Sequence, residues 1–152
     1  MSVQYSKPWE YTYQSLDQLP IICSYICRLM DKHPNALIYF NGELGVGKTT
    51  LIKSIIRECG YKGLVTSPSY QIVNTYEIVD DIHIHHFDCY RLESPDELEL
   101  MDVYQYRDAV CLVEWADHGM RSLFTPDIEV NLSFVDHDSD DRFVSIVYQL
   151  TS

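Results

Sequence analysis

The chain has 152 residues, of which 46% are hydrophobic, and this length and composition predict one domain spanning residues 1–152 with one sizeable core. Lys and Arg number 11 against 23 Asp and Glu, so the formal net charge is -12. This charge repels phosphate backbones and anionic lipid, which argues against direct binding of nucleic acid or a membrane. No apolar run approaches the ~18 residues that span a bilayer, and the N-terminal segment lacks a signal core. The five cysteines include no CxxC pair, and we expect reduced thiols in a cytoplasmic protein.

The first half of the chain predicts two strands and two helices. Alternating aromatic and polar residues favour a strand over Trp9–Tyr13. A capping-box pattern at Ser15 precedes apolar residues at helical spacing, which predicts a helix over residues 16–32. The continuous apolar run at 36–40 is typical of a strand buried on both faces. It leads through a glycine-rich turn into a helix predicted over 49–58.

The second half predicts further strands with little helix between them. A short helix is expected after Ser94 and Pro95, which have the pattern of an N-cap and a first helical residue. The last two strands flank an acidic loop and predict an antiparallel hairpin at a sheet edge. The element order predicts an α/β fold whose sheet is mixed, mainly parallel at its centre and antiparallel at its edges. The predicted strands cover residues 70–78, 82–88, 109–113, 128–135 and 143–150.

The glycine-rich turn has the pattern GxxxxGK[ST] of a phosphate-binding loop. Glycines at 42, 45 and 47 let successive backbone N–H groups point at phosphate oxygens. Lys48 is expected to neutralise the β- and γ-phosphates, and the Thr49 hydroxyl to hold Mg²⁺. Its place between a buried strand and an amphipathic helix favours a working loop over a chance match. The loop residues expected to bind the nucleotide are Glu43, Leu44, Gly45, Val46, Gly47, Lys48, Thr49 and Thr50.

Two acidic residues end predicted strands where a carboxylate would face the phosphates. Asp88 closes one strand and Glu114 closes another, and either suits binding of Mg²⁺ or orientation of the attacking water. The alternation of side chains places His86 with Asp88 on one strand face, and His83 and His85 on the other. A zinc site with four ligands is therefore the weaker interpretation of this histidine-rich strand.

A cluster of threonine and serine surrounds a proline in the segment TSPSY, between the phosphate loop and Asp88. Thr66, Ser67 and Ser69 surround Pro68, which makes the segment rigid. Such hydroxyls suit a switch loop that reaches Mg²⁺ or the γ-phosphate, whereas an ordinary turn capped by serine explains the same residues. Both interpretations remain open from the residues alone.

Four motifs in this order resemble the TsaE family, formerly YjeE, of small bacterial ATPases in tRNA threonylcarbamoyladenosine synthesis. The motifs are GELGVGKTTL, TSPSY, HFDCYRL and LVEWADHG, and the resemblance spans residues 15–134. HxDxYRL followed by EW is far more specific than a phosphate loop alone. The chain differs from the usual family pattern at Ser69, where Thr is common, and at Ala116, where Pro is common.

The resemblance implies a P-loop fold that binds ATP with Mg²⁺ and hydrolyses it only weakly alone. It also implies a TsaB–TsaD complex as partner, which holds tRNA and transfers threonylcarbamoyl to the adenosine beside the anticodon. By the same resemblance Thr49 and Glu114 bind Mg²⁺, Asp88 is the catalytic carboxylate, and Trp115 is an aromatic residue of the nucleotide site. Lys48, Asp88 and Glu114 form the expected catalytic set, and TSPSY resembles the switch loop of the family.

Two other functions fit a phosphate loop. A small-molecule kinase needs a lid rich in arginine, but the six arginines are scattered along the chain. A nucleotide-gated binding module, in which hydrolysis is incidental, overlaps with the ATPase interpretation. A GTPase is disfavoured because the sequence has neither an NKxD nor a DxxG motif.

Overall fold

A seven-stranded mixed sheet forms the centre of the computed structural model, which describes residues 2–150 apart from the side chain of Asp80. The strands are β1 (Trp9–Tyr13), β2 (Leu37–Asn41), β3 (Val73–Glu77), β4 (His83–Asp88), β5 (Val110–Glu114), β6 (Ile128–Phe134) and β7 (Arg142–Tyr148). The α-helices are α1 (Leu19–Lys32), α2 (Lys48–Glu58), α3 (Pro95–Leu100) and α4 (Met120–Leu123). Short 3-10 turns occupy Leu16–Gln18, Val79–Asp81, Val103–Tyr106 and Ala116–His118. The strand order is β1-β7-β6-β2-β5-β4-β3.

The four central strands are parallel, and their carboxyl ends lie at one edge of the sheet. β2 lies between β6 and β5, and β4 follows on the other side of β5. The register places Glu114 opposite both Phe40 and Asp88. Two carboxylates therefore end neighbouring strands beside the loop that leaves β2, where ligands bind in open α/β sheets.

Each face of the sheet has its own apolar cluster because successive side chains of a strand point to opposite sides. Ile38 and Phe40 of β2 pack with α1 and α2 on one face. Leu37 and Tyr39 pack on the other face with residues of β4, β5, α3 and α4. The four apolar residues of β2 are thus buried, as its continuous apolar run predicts, and only Asn41 at its end is partly exposed.

The mixed sheet with a parallel centre is confirmed, and two local predictions are wrong. β3 begins at Val73 and not at residue 70, because a turn closes on Pro68, whose carbonyl accepts a hydrogen bond from Ile72 N–H at 2.9 Å. Ile72 also has a positive φ of 68°, which is incompatible with a strand. The final hairpin is not at the sheet edge, because β1 pairs antiparallel with β7 and covers it.

Two further sequence expectations concern cysteines and membranes. All five cysteines are free thiols; Cys23, Cys89 and Cys111 are buried, and Cys27 and Cys59 are partly exposed. Within the described residues, no helix combines the length and the apolar character needed to cross a membrane.

Candidate functional site

The phosphate loop follows β2 directly and ends in the first turn of α2. Gly47 precedes Lys48, the first residue of that helix. Its φ is 115°, a backbone conformation that would be strained in a residue with a side chain. Gly42 starts the loop with a φ of 151°, and a Cβ atom there would lie 2.6 Å from the carbonyl oxygen of Leu132. The sequence folds this way because glycine alone fits both positions.

Gly42→Ala is expected to destabilise the protein more than Gly45→Ala. A Cβ at Gly42 meets both a backbone oxygen and Val46, whereas a Cβ at Gly45 meets nothing within 4 Å. Backbone strain alone costs about 1 kcal/mol at Gly45, and overpacking adds a further ~1–3 kcal/mol at Gly42. The free energy of unfolding in denaturant measures both losses, and equal losses would contradict the packing account.

Lys48 and Thr49 project from the loop into the cleft. The Lys48 ammonium group donates hydrogen bonds to the carbonyls of Gly42 and Glu43, at 2.5 and 3.0 Å, and lies 4.3 Å from the centre of the Trp115 ring. Burial lowers the pKa of Lys48, and the nearby carboxylates, Glu114 first, oppose that shift. The ammonium group is thus held inside the loop with little water around it.

Glu114 is buried at the end of β5 and has two donors. The Thr49 hydroxyl lies 2.8 and 3.0 Å from its two carboxylate oxygens, and His86 Nε2 lies 2.8 Å from Oε2. His86 is fully buried, and its Nδ1 has no hydrogen-bond partner among the described residues. We assign the tautomer with hydrogen on Nε2, because it satisfies the carboxylate and leaves no buried N–H unpaired.

His86→Leu is expected to reduce stability by about 1–3 kcal/mol, because it leaves the buried Glu114 carboxylate with one donor fewer. The loss is expected to be smaller in a Glu114→Gln background, where residue 114 is uncharged. A double-mutant cycle in urea measures this coupling. If the two losses simply add, His86 does not stabilise the Glu114 carboxylate.

Asp88 lies beside Glu114 in the register and is half-buried. Burial raises the pKa of Asp88, and the Glu114 charge raises it further. The backbone N–H of Tyr90 donates to Asp88 Oδ1 at 3.0 Å and opposes the shift. A carboxylate with its pKa raised in this way holds a proton more readily than an exposed aspartate.

The other histidines of β4 do not join this cluster. His85 shares a 2.8 Å hydrogen bond with Thr75 of the neighbouring strand, and its ring stacks parallel to that of His83 at 6.4 Å. Within residues 2–150 no group of three His, Cys, Asp or Glu side chains is placed to hold a metal ion. His85 and His86 therefore belong to two separate hydrogen-bonded pairs, one with Thr75 and one with Glu114.

Ten of the predicted site residues meet in one cleft of about 350 Å³. Glu43 and Val46 do not line it, since the loop turns them away, and Thr66 and Ser67 do not reach it. Sequence reasoning missed Tyr90 and Arg91, although both belong to the HFDCYRL motif that ends in this cleft. The ten predicted residues are Leu44, Gly45, Gly47, Lys48, Thr49, Thr50, Ser69, Asp88, Glu114 and Trp115.

A second cavity of about 380 Å³ shares Gly45, Gly47 and Thr50 with this cleft and opens toward β1. Asp140 and Arg142 line it from the last hairpin, and the Arg142 Nε–H donates to the Val46 carbonyl at 3.2 Å. Sequence reasoning missed both residues because the hairpin is distant in the chain from the phosphate loop. The loop is therefore bordered on two sides by cavities.

The TSPSY segment, residues 66–70, reaches the cleft only near its end. The Tyr76 hydroxyl donates to the Thr66 carbonyl at 3.0 Å and so fixes the start of the segment against β3. Ser67 and Ser69 share a hydrogen bond of 3.0 Å, and Ser69 alone of the three hydroxyl residues lines the cleft. The geometry brings Ser69 to the site and leaves Thr66 and Ser67 outside it.

A glycine loop between a buried parallel strand and a helix, with Lys48, Thr49 and Glu114 facing one cleft, defines a P-loop nucleotide-binding protein. The crystal structure of YdiB from Bacillus subtilis has a similar fold, with a TM-score of 0.67 and 21% identity over 97% of this chain and 88% of that one. The family model described as "Threonylcarbamoyl adenosine biosynthesis protein TsaE" matches residues 15–144. The chain belongs to the TsaE family.

Two relatives are named tRNA threonylcarbamoyladenosine biosynthesis protein TsaE. The protein from Haemophilus influenzae is 41% identical over 115 residues, which cover 74% of this chain and 70% of the relative. The protein from Rickettsia bellii is 37% identical over 107 residues, which cover 69% and 74%. The family resemblance in the sequence motifs is thereby confirmed.

Proposed function

We propose that this chain is the ATP-binding and ATP-hydrolysing subunit required to form the threonylcarbamoyl modification on the tRNA adenosine next to the anticodon. It acts in the cytoplasm with TsaB and TsaD, as one nucleotide-binding unit. The observation that carries the proposal is the contact of Thr49 with Glu114 beside Lys48, in the cleft of a chain that belongs to the TsaE family.

The residues of the cleft suit ATP with Mg²⁺. The Thr49 hydroxyl and the Glu114 carboxylate present hard oxygen atoms side by side, which is the donor type that Mg²⁺ prefers. Bound there, Mg²⁺ would supply positive charge to the phosphates of the nucleotide. Lys48 adds a second cation inside the loop, and the His86 hydrogen bond keeps the Glu114 carboxylate oriented.

Asp88 and Trp115 complete the proposed machinery. Asp88 is not hydrogen-bonded to Thr49, and it orients the attacking water while Glu114 serves the metal. Trp115 covers Lys48 at 4.3 Å and excludes water from the loop, which strengthens the attraction between Lys48 and phosphate. Ser69 brings the end of the TSPSY segment into the cleft, from where its hydroxyl would reach the γ-phosphate as in a switch loop.

The net charge of -12 supports the proposal that the partners hold the tRNA. A protein of this charge repels the phosphate backbone, so TsaB and TsaD hold the tRNA and this chain contacts it only through them. The nucleotide cleft supplies the energy-dependent step, and the partner complex supplies the transfer of threonylcarbamoyl.

Calorimetric titration of the purified chain with ATP, with and without Mg²⁺, tests the first step of the proposal. We expect ATP to bind, and to bind more tightly with Mg²⁺, because Thr49 and Glu114 serve the metal. A chain that binds no ATP in either condition contradicts the proposal. Transfer of phosphate to a small metabolite in place of water would instead indicate a kinase.

A further inference from the structure

Arg91 lies on the rim of the nucleotide cleft without a role in the machinery above. Within the described residues, it and Lys48 are the two basic side chains that line the cleft. Arg91 follows Asp88 by three positions, in the turn that leaves β4. A cation so placed faces the same space as the carboxylates that serve the metal and the water.

The backbone that carries Arg91 is firmly held. Cys89 N–H donates to the Glu114 carbonyl at 3.1 Å, and Leu92 N–H donates to the Cys89 carbonyl at 3.1 Å. Leu92 is itself buried in the apolar cluster of α3 and α4. The start of the Arg91 side chain is therefore fixed relative to Asp88, and only the side chain is free to move.

The guanidinium group of Arg91 has a weak resting contact. Its carbon lies 4.4 Å from the centre of the Tyr70 ring, and Tyr70 is 83% exposed. Among the described residues Arg91 forms no ion pair with a carboxylate. An exposed cation–π contact is weaker than a hydrogen bond between two charged groups. A phosphate oxygen in the cleft therefore outcompetes the Tyr70 ring.

We propose that Arg91 is a catalytic residue that leaves Tyr70 and donates to the γ-phosphate oxygens as negative charge spreads over them during hydrolysis. This inference rests on the proposed ATPase function and deepens it. Arginine supplied in this way from the same chain or a partner accelerates phosphoryl transfer, since the reaction otherwise relies on lysine and metal alone. Because Tyr70 belongs to the TSPSY segment, the resting contact links that segment to the hydrolytic step.

The test compares Arg91→Ala with Arg28→Ala, a matched control in which an exposed arginine also lies over a tyrosine ring, at 5.9 Å from Tyr25. Hydrolysis and the affinities for Mg²⁺–ADP with and without aluminium fluoride are measured on the full chain, alone and with TsaB and TsaD. Arg91→Ala is expected to slow hydrolysis on the order of 10³-fold and to abolish the tighter binding given by aluminium fluoride. Its ADP affinity is expected to stay within about threefold, because Arg91 acts on the transferred group. Arg28→Ala is expected to match the wild type.

The variant Tyr70→Leu tests whether the contact of Arg91 with Tyr70 competes with the catalytic role of Arg91 or supports it. Loss of the competing ring is expected to tighten aluminium fluoride binding by about two- to fivefold. If Tyr70→Leu instead weakened aluminium fluoride binding as much as Arg91→Ala does, Tyr70 would hold Arg91 in its working position. That result would overturn the proposed release of Arg91 from Tyr70. Retention of the aluminium fluoride effect by Arg91→Ala would overturn the catalytic role alone. The ATPase function as well would be overturned if the wild type, both alone and with TsaB and TsaD, hydrolysed no ATP and bound Mg²⁺–ADP no more tightly with aluminium fluoride.

Discussion

Lys48→Ala is expected to weaken ATP binding roughly 10- to 150-fold, because a hydrogen bond to a charged group contributes about 1.5–3 kcal/mol. The ammonium group lies inside the loop beside the Gly42 and Glu43 carbonyls, so its loss removes the cation nearest to the phosphates. Burial already disfavours the charge of Lys48, as its lowered pKa indicates, and the variant is expected to fold. Calorimetric titration with Mg²⁺–ATP measures the loss of affinity.

Lys53→Ala is the matched control, since Lys53 lies on the same helix and does not line the cleft. It is expected to bind ATP like the wild type. Equal affinities in the wild type and Lys48→Ala would mean that the loop does not bind the phosphates. Equal losses in the two variants would indicate a general electrostatic effect and not a site.

Asp88→Asn is expected to slow hydrolysis by about 10²–10⁴-fold while ATP binding is retained, because the amide cannot accept a proton from the attacking water. The Asn carbonyl can still accept the hydrogen bond from Tyr90 N–H, so the turn after β4 is preserved. Single-turnover hydrolysis with saturating ATP measures the effect. Asp138→Asn, in the exposed hairpin loop, is the control. Normal turnover in Asp88→Asn would mean that Glu114 or another group orients the attacking water.

Because the pKa of Asp88 is raised, both the rate of hydrolysis and the stability of the fold are expected to depend on pH. The residue must be ionised to act, so hydrolysis is expected to decline with falling pH at a higher pH than for an exposed aspartate. A pKa raised in the folded state favours folding only where the group is protonated, and that contribution is lost as the pH rises through the raised pKa. Asp88→Asn is therefore expected to be more stable than the wild type at neutral pH, and an acid limb unchanged in the variant would contradict the assignment.

The local parts of the site were predictable because neighbouring residues determine them. The apolar run of β2, the glycine loop and the helix from Lys48 are contiguous in sequence, and the structure has them in that order. The two carboxylates at strand ends were also predictable from alternation and position, because carboxyl ends of parallel strands meet at one edge. The direct contact of Thr49 with Glu114 required the strand order, which no local pattern contains.

The features that sequence reasoning missed depend on contacts between distant segments. β1 covers β7 although the two are at opposite ends of the chain, so the final hairpin is internal to the sheet. Arg142 of β7 donates to the Val46 carbonyl, and these two residues are also far apart in the chain. The turn at Pro68 shortens β3, and its position also depends on a distant segment, because the Ile72 carbonyl accepts a hydrogen bond from Asp88 N–H at 2.8 Å.

ATP hydrolysis by the wild type and Asp88→Asn, measured with Mg²⁺ on the chain alone and with TsaB, TsaD and tRNA from the same organism, decides whether this chain drives tRNA modification. Formation of threonylcarbamoyl-adenosine is assayed in parallel. We expect slow hydrolysis by the chain alone, strong stimulation by the partners, and loss of repeated modification in Asp88→Asn. Hydrolysis that the partners leave unchanged, together with normal modification by Asp88→Asn, would contradict the account.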